Sequence, residues 1–97
     1  QLLNPSILSF LQLPDDYEIA EIKAPLGVLN RNIKEIDFRN IYQLTLVTIK
    51  TESVVNGNLE NHVMGVPNYD YVIQEKDTLV VFGTEQCVER FIEINEE

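Results

Sequence analysis

Asp37 and Arg39 stand two positions apart around Phe38, and this pair is the side-chain combination best suited to holding a ligand. A guanidinium presents a planar fork of donors that matches phosphate, and a neighbouring carboxylate accepts from an amino group or a hydroxyl. The same two residues also suit a local cap and a weak surface ion pair, so residue chemistry leaves both uses open. Other reactive side chains carry less. His62 has no second His, and no Cys or Ser at motif spacing, so it reads as a polar residue at a strand edge. Cys87 falls among apolar residues of a predicted helix, where a thiol behaves as a small hydrophobe. Gly83-Thr84-Glu85 lacks the Lys and the glycine run of a phosphate loop. Glu85, Glu89 and Glu93 recur at i, i+4 and i+8 on one helix face. Such a row repels itself by a few tenths of a kcal/mol per pair; it suits either a solvated face or the recruitment of a divalent cation. No nucleophile–base pair or metal-ligand cluster is present, so no enzyme is expected.

The chain that must position these groups has 97 residues, enough for one domain and one hydrophobic core. Sixteen acidic and seven basic residues leave a formal charge of −9, the wrong sign for a nucleic-acid interface or a polybasic membrane-surface anchor. An apolar content of 44% is too high for a disordered segment. The longest uninterrupted apolar run, residues 79–82, is far short of the ~20 residues of a membrane span. Residues 1–13 carry no positive region of the kind that opens a signal peptide. One Cys rules out an internal disulfide, and one His beside it does not make a zinc site. The expectation is a soluble, acidic, cytosolic domain. At this size roughly 60–65% of the unfolded surface is buried, so a dimer interface would add stability.

Punctuation along the chain predicts its elements. Asn4 and Pro5 open a predicted helix over residues 4–13, and Pro14 closes it. Residues 17–24 read as a strand whose alternation changes phase between Ile19 and Ala20, suggesting a bulge. Asn32-Ile33-Lys34-Glu35 fits a capping box and starts a short helix with Ile33 and Ile36 inward, joined by Phe38 and Ile41. Residues 44–49 read as a central strand covered on both faces. Asn56-Gly57 marks a tight turn in the polar stretch 51–61, and residues 62–66 form a short strand ended by Pro67. Residues 78–82 form another strand, closed by Gly83. Thr84 then caps a last helix, with Glu85 at its positive end and Cys87, Val88, Phe91 and Ile92 inward. This order predicts an α+β domain: a small mixed or antiparallel sheet, a short crossover helix and a C-terminal helix.

Pro67, Asp70, Ile73, Asp77, Leu79 and Gly83 lie in the run Pro-Asn-Tyr-Asp-Tyr-Val-Ile-Gln-Glu-Lys-Asp-Thr-Leu-Val-Val-Phe-Gly. This run resembles the RCK C-terminal domain, also called the TrkA-C domain. Tyr17-Glu18-Ile19-Ala20-Glu21-Ile22 resembles that family's opening strand, residues 33–39 its helix and following Asp-x-Arg, and Tyr42 its aromatic. The likeness spans residues 17–92. It implies a regulatory domain over residues 15–97, with residues 1–14 a connecting helix from an upstream nucleotide-binding RCK domain. It also implies a homodimer on the inner face of the cell membrane. The implied partner is a potassium channel, a Ktr- or Trk-type uptake system, or a cation–proton antiporter, with possible sensing of cyclic di-AMP between two subunits. Carried over position by position, the ligand site would comprise Ile33, Asp37, Arg39, Leu44, Thr45 and Pro67. Ile33 and Pro67 would offer apolar surface to adenine, Arg39 would meet phosphate, and Asp37 would take a polar contact. The alternative is a structural dimerisation module, or a domain responding to divalent cations, without nucleotide binding.

Overall fold

Strict alternation over Tyr17–Lys23 (β2) builds the middle of a sheet: Glu18, Ala20 and Ile22 are buried, while Tyr17 and Ile19 face the other side. In the computed structural model, which describes residues 4–96, β2 is joined by Ile7–Gln12 (β1), Thr45–Val55 (β3), Asn58–Val63 (β4) and Thr78–Thr84 (β5). The strand order is β1-β2-β5-β3-β4 and every pairing is antiparallel. Two short helices, Ile33–Ile36 (α1) and Phe38–Tyr42 (α2), lie between β2 and β3, and Glu85–Asn95 (α3) follows β5. The expected α+β class, small sheet and C-terminal helix are all present.

The core lies between the sheet and the helices. Ile22, Ile49, Leu79 and Val81 from the strands meet Ile33, Ile36, Phe38, Tyr42, Val88, Phe91 and Ile92. The Phe91 ring sits 5.2 Å from Phe38 and 4.8 Å, edge to face, from Tyr42, which locks α3 to α2. Asn95, buried at the end of α3, donates to the Tyr42 hydroxyl (3.2 Å) and to the Phe91 carbonyl (2.8 Å).

Five local expectations change. The segment after Pro5 is not a helix but edge strand β1, paired with β2 from Ile7↔Ile22 to Gln12↔Glu18; residues 1–3 lie outside the described residues. A helix of under a dozen residues is marginal on its own, and the open edge of β2 supplies a full ladder instead. The phase change in β2 is no bulge, because its register with β5 runs unbroken from Tyr17↔Thr84 to Lys23↔Thr78. The interruption comes from Glu18, a polar residue at a core-facing position, and the real bulges lie at Ile7/Ser9 and Leu46/Thr48. Ile41 is exposed rather than in the core.

The short strand expected over residues 62–66 is instead β4 at Asn58–Val63, which starts directly after the Asn56-Gly57 turn and ends before Pro67 is reached, and β3 is the fifth difference. It runs eleven residues, well past the predicted 44–49, and Val47 is exposed rather than covered. Its first half pairs with β5, from Thr45↔Phe82 to Lys50↔Thr78, and its second half with β4, from Lys50↔Val63 to Val55↔Asn58, so the two ladders meet at Lys50. Beyond that, β3 and β4 continue as a two-stranded arm through the Asn56-Gly57 turn, where φ is 52° and 79°. Positive φ at both central residues is what a tight hairpin turn requires.

Candidate functional site

The Asp-x-Arg corner is a product of two caps. Asn32 Oδ1 accepts from Glu35 N (2.8 Å) and Glu35 Oε1 accepts from Asn32 N (3.3 Å), the reciprocal capping box expected of α1. Asp37 ends α1 in the left-handed region (φ 55°) and begins α2, its carboxylate accepting from Asn40 N (3.4 Å) and Asn40 Nδ2 (3.1 and 3.2 Å). α2 ends at Gln43, also left-handed, and Thr45 opens β3 two residues later. Arg39 is exposed and has no hydrogen bond or ion pair to any described residue. Its donors are free for a ligand.

The six expected site residues divide by burial. Ile33 and Leu44 are 6% and 2% exposed and belong to the core cluster, so Ile33 offers little surface to an adenine; its side chain supports the corner from beneath. Arg39 and Thr45 are exposed, and Asp37 and Pro67 are half-buried. The segment after Pro67 is tied to the start of α1 by Ile33 N→Tyr71 O (3.1 Å) and Lys34 N→Tyr69 O (3.0 Å). Thus the Pro67 segment and the α1–α2 corner are held in one region by backbone hydrogen bonds.

Two residues in the family-like run do more than expected. Asp77, buried, accepts from Gln74 N (2.9 Å), as a turn carboxylate should, and also from the Tyr71 hydroxyl (2.7 Å). Burial and that bond push the Tyr71 hydroxyl well above the ordinary tyrosine range. Gly83 lies inside β5 rather than closing it. A Cβ there would meet Leu44 Cδ2 at 2.5 Å, so its role is to admit Leu44 beside the corner, not to turn the chain.

One group, Glu18, lay outside sequence reasoning, and the structure adds detail to two others, the acidic row of α3 and His62. Glu18 is 3% exposed under the start of α3, and burial followed by repulsion from Glu85 and Glu89 raises its carboxyl pKa. Only the alternation of β2 could have signalled it. The acidic face of α3 therefore turns partly inward, toward a third carboxylate. Among the described residues no group of three His, Cys, Asp or Glu is arranged to hold a metal ion, and Glu97 lies outside them. Finally, His62 Nε2 lies 3.0 Å from Ser53 Oγ and 3.7 Å from Glu60 Oε1 on the arm. Both partners address the same ring nitrogen, whereas a catalytic relay needs the acid on the other one. Two open clefts, about 370 Å³ beside Asp15, Asp16 and Glu85 and about 340 Å³ beside Lys50 and Glu52, include none of the six expected site residues.

The backbone superposes with a TM-score of 0.64 on the RCK C domain of the potassium transport protein KtrA, solved in complex with cyclic diadenosine monophosphate. Identity there is 22%, covering 82% of this chain and 85% of that one. It superposes equally well, at 0.64 and 19% identity, on the GsuK RCK domain, covering 95% of this chain and 19% of that one. The fold is that of an RCK C-terminal domain, the class to which the 67–83 run pointed. Among curated proteins the chain is similar to the Ktr system potassium uptake protein A of Bacillus subtilis (strain 168), with 26% identity over 90 residues, or 93% of this chain. The chain spans 37% of that relative's length. No family model matches it.

Proposed function

We propose that this chain is a cytoplasmic regulatory domain of a potassium channel or uptake system, or of a cation–proton antiporter, acting as a homodimer whose arrangement is biased by a small ligand. Residues 15–97 form the domain. Residues 1–14 join it to an upstream half, in part as an edge strand. The observation that carries the reading is the exposed, unengaged Arg39 beside the half-buried Asp37 on this fold. The solved relative with cyclic di-AMP makes that nucleotide the first candidate.

Arg39 would take a phosphate oxygen with its forked donors, and Thr45 would add a hydroxyl. Pro67 would pack against the base, while Ile33 and Leu44 hold the corner rigid from below. A two-fold nucleotide on a two-fold axis engages each residue once from each copy, so site and homodimer belong together. Binding shifts the equilibrium between two dimer arrangements only by its difference in affinity for them, and that difference is what a membrane partner reads. No bond is made or broken.

Calorimetric titration of cyclic di-AMP into the chain, alongside Arg39→Ala, tests this. Saturable heat that is lost in the variant supports the reading. No heat at high micromolar nucleotide removes the nucleotide, and heat with calcium alone moves the reading to a cation-responsive module.

A further inference from the structure

Asn56 is the only asparagine of the chain that Gly follows, and the pair occupies the tip of the β3–β4 arm. The carbonyl carbon of an Asn side chain is an electrophile within reach of the next residue's backbone nitrogen. Closing a five-membered ring between them is easiest where that next residue is Gly, because no side chain crowds the ring and the backbone turns freely. Both reacting groups are unguarded here. Residues 52–63 are all exposed, and neither the Asn56 side chain nor Gly57 N has a hydrogen bond to a described residue. A Cβ built on Gly57 would meet nothing within 4 Å. The other asparagines are protected in one of two ways. Asn4, Asn32, Asn40 and Asn95 have their side chains held by hydrogen bonds, and the rest precede residues with bulky side chains.

The arm supplies the motion that ring closure needs. The closed turn holds Asn56 and Gly57 at φ 52° and 79°, so Gly57 N must swing onto Asn56 Cγ before it can react. Beyond Lys50 the arm has only its own two strands, and a lone ribbon of that kind is marginal in water. Its tip therefore opens far more often than the core strands do.

We infer that Asn56 is a self-modification site whose co-reactant is water and whose main-chain-altering product unzips the arm. Gly57 N loses its proton to solvent and attacks Asn56 Cγ. The N–Cγ bond forms, the Cγ–Nδ2 bond breaks, and the amide group takes up a proton and leaves as ammonia, giving a cyclic imide. Water then adds to one of the two imide carbonyls. Addition at Cγ breaks the new bond and leaves aspartate on a normal backbone. Addition at the main-chain carbonyl breaks the original peptide bond, so the chain now runs through the side chain and the main-chain carboxylate is freed. Nothing is oxidised or reduced. The first product keeps the hairpin, since Asp-Gly suits this turn as Asn-Gly does. The second inserts an extra backbone carbon between Val55 and Asn58, the pair that closes the ladder. Both add a negative charge to a chain already at −9.

Incubation of the full chain in buffered heavy-oxygen water, followed by peptide mass spectrometry, is the test. The segment holding Asn56 should lose ammonia and gain labelled oxygen ahead of every other asparagine. Asn56→Gln should lose the conversion, because its ring would be six-membered. A free peptide of residues 51–61 is the reference, and its faster conversion measures how seldom the hairpin opens. Another asparagine converting first, or an unchanged Asn56 once the free peptide has fully converted, overturns the site. In the side-chain-linked product, amides of residues 51–63 should exchange faster with deuterium while β5 keeps its rates. Unchanged exchange in the arm overturns the unzipping.

Discussion

The Tyr71 hydroxyl donates a 2.7 Å hydrogen bond to Asp77 Oδ2, clasping both ends of the loop that approaches β5. Asp77 is 4% exposed and also accepts from Gln74 N, so its charge is held by two donors. The clasp steadies the segment that begins at Pro67 and is bonded to α1. Tyr71→Phe should cost about 1.5–3 kcal/mol, the range for a hydrogen bond to a charged group, read as a lower urea midpoint at unchanged slope.

The same clasp has an alkaline signature. The folded-state pKa of Tyr71 is raised, so the folded chain holds that proton after the unfolded chain has begun to release it. Its contribution is complete below the ordinary tyrosine value of about 10 and is lost as pH climbs above it. Stability measured from pH 9 upward should fall more steeply in the wild type than in Tyr71→Phe. Parallel curves would exclude the clasp as the cause.

Glu18 should be a destabilising residue at neutral pH. Its carboxyl is buried beside Glu85 and Glu89 and its pKa is raised, so the folded state binds the proton more tightly than the unfolded state. The penalty is present above the raised folded pKa and is relieved as pH falls through it toward the ordinary Glu value of about 4.3. Glu18→Gln keeps the shape and removes the charge, and should raise stability by on the order of 1 kcal/mol at pH 7. The gain should shrink toward zero in acid, and thermal melts at the two pH values compare it directly.

Gly83 and Leu44 should be energetically coupled. A Cβ at position 83 would stand 2.5 Å from Leu44 Cδ2, with the Gln43 carbonyl at 3.4 Å behind it. Gly83→Ala should cost about 1–3 kcal/mol through overpacking. In the Leu44→Ala background it should cost markedly less, because the obstructing methyl is gone, and a double-mutant cycle by chemical denaturation measures the difference.

Arg39 should separate binding from folding. It has no partner among the described residues, so Arg39→Ala should change stability by less than ~0.5 kcal/mol. Arg39→Lys keeps the charge but loses the planar fork, and should bind cyclic di-AMP with an affinity between those of the wild type and the Ala variant. Equal affinities for all three would remove Arg39 from the site.

Much of this was legible in one dimension because it depends on contacts a few residues apart. The Asn32–Glu35 capping box, the Thr84 cap of α3 and the Asn56-Gly57 turn all rest on groups that meet within a turn of chain. The inward face of α3 followed from helical spacing. The Asp37–Arg39 corner was visible as a residue pair, although only the caps on either side explain why Asp37 is engaged and Arg39 is free.

What the tertiary structure decided is where strands find partners. Residues 7–12 have helical spacing, yet they became β1 because the edge of β2 offered a ladder that no local pattern announces. Residue spacing already turned Ile33 and Leu44 inward, but only the elements packed around them decided that almost no surface of either is left for the ligand contact that the resemblance implied. Glu18 broke an alternation, and only the arrival of α3, some seventy residues on, turned that break into a buried charge. Local rules set caps and turns because their donors and acceptors lie within a few bonds' reach. Ladders and cores join residues distant along the chain, so their outcome is set by which surfaces meet when the whole chain folds.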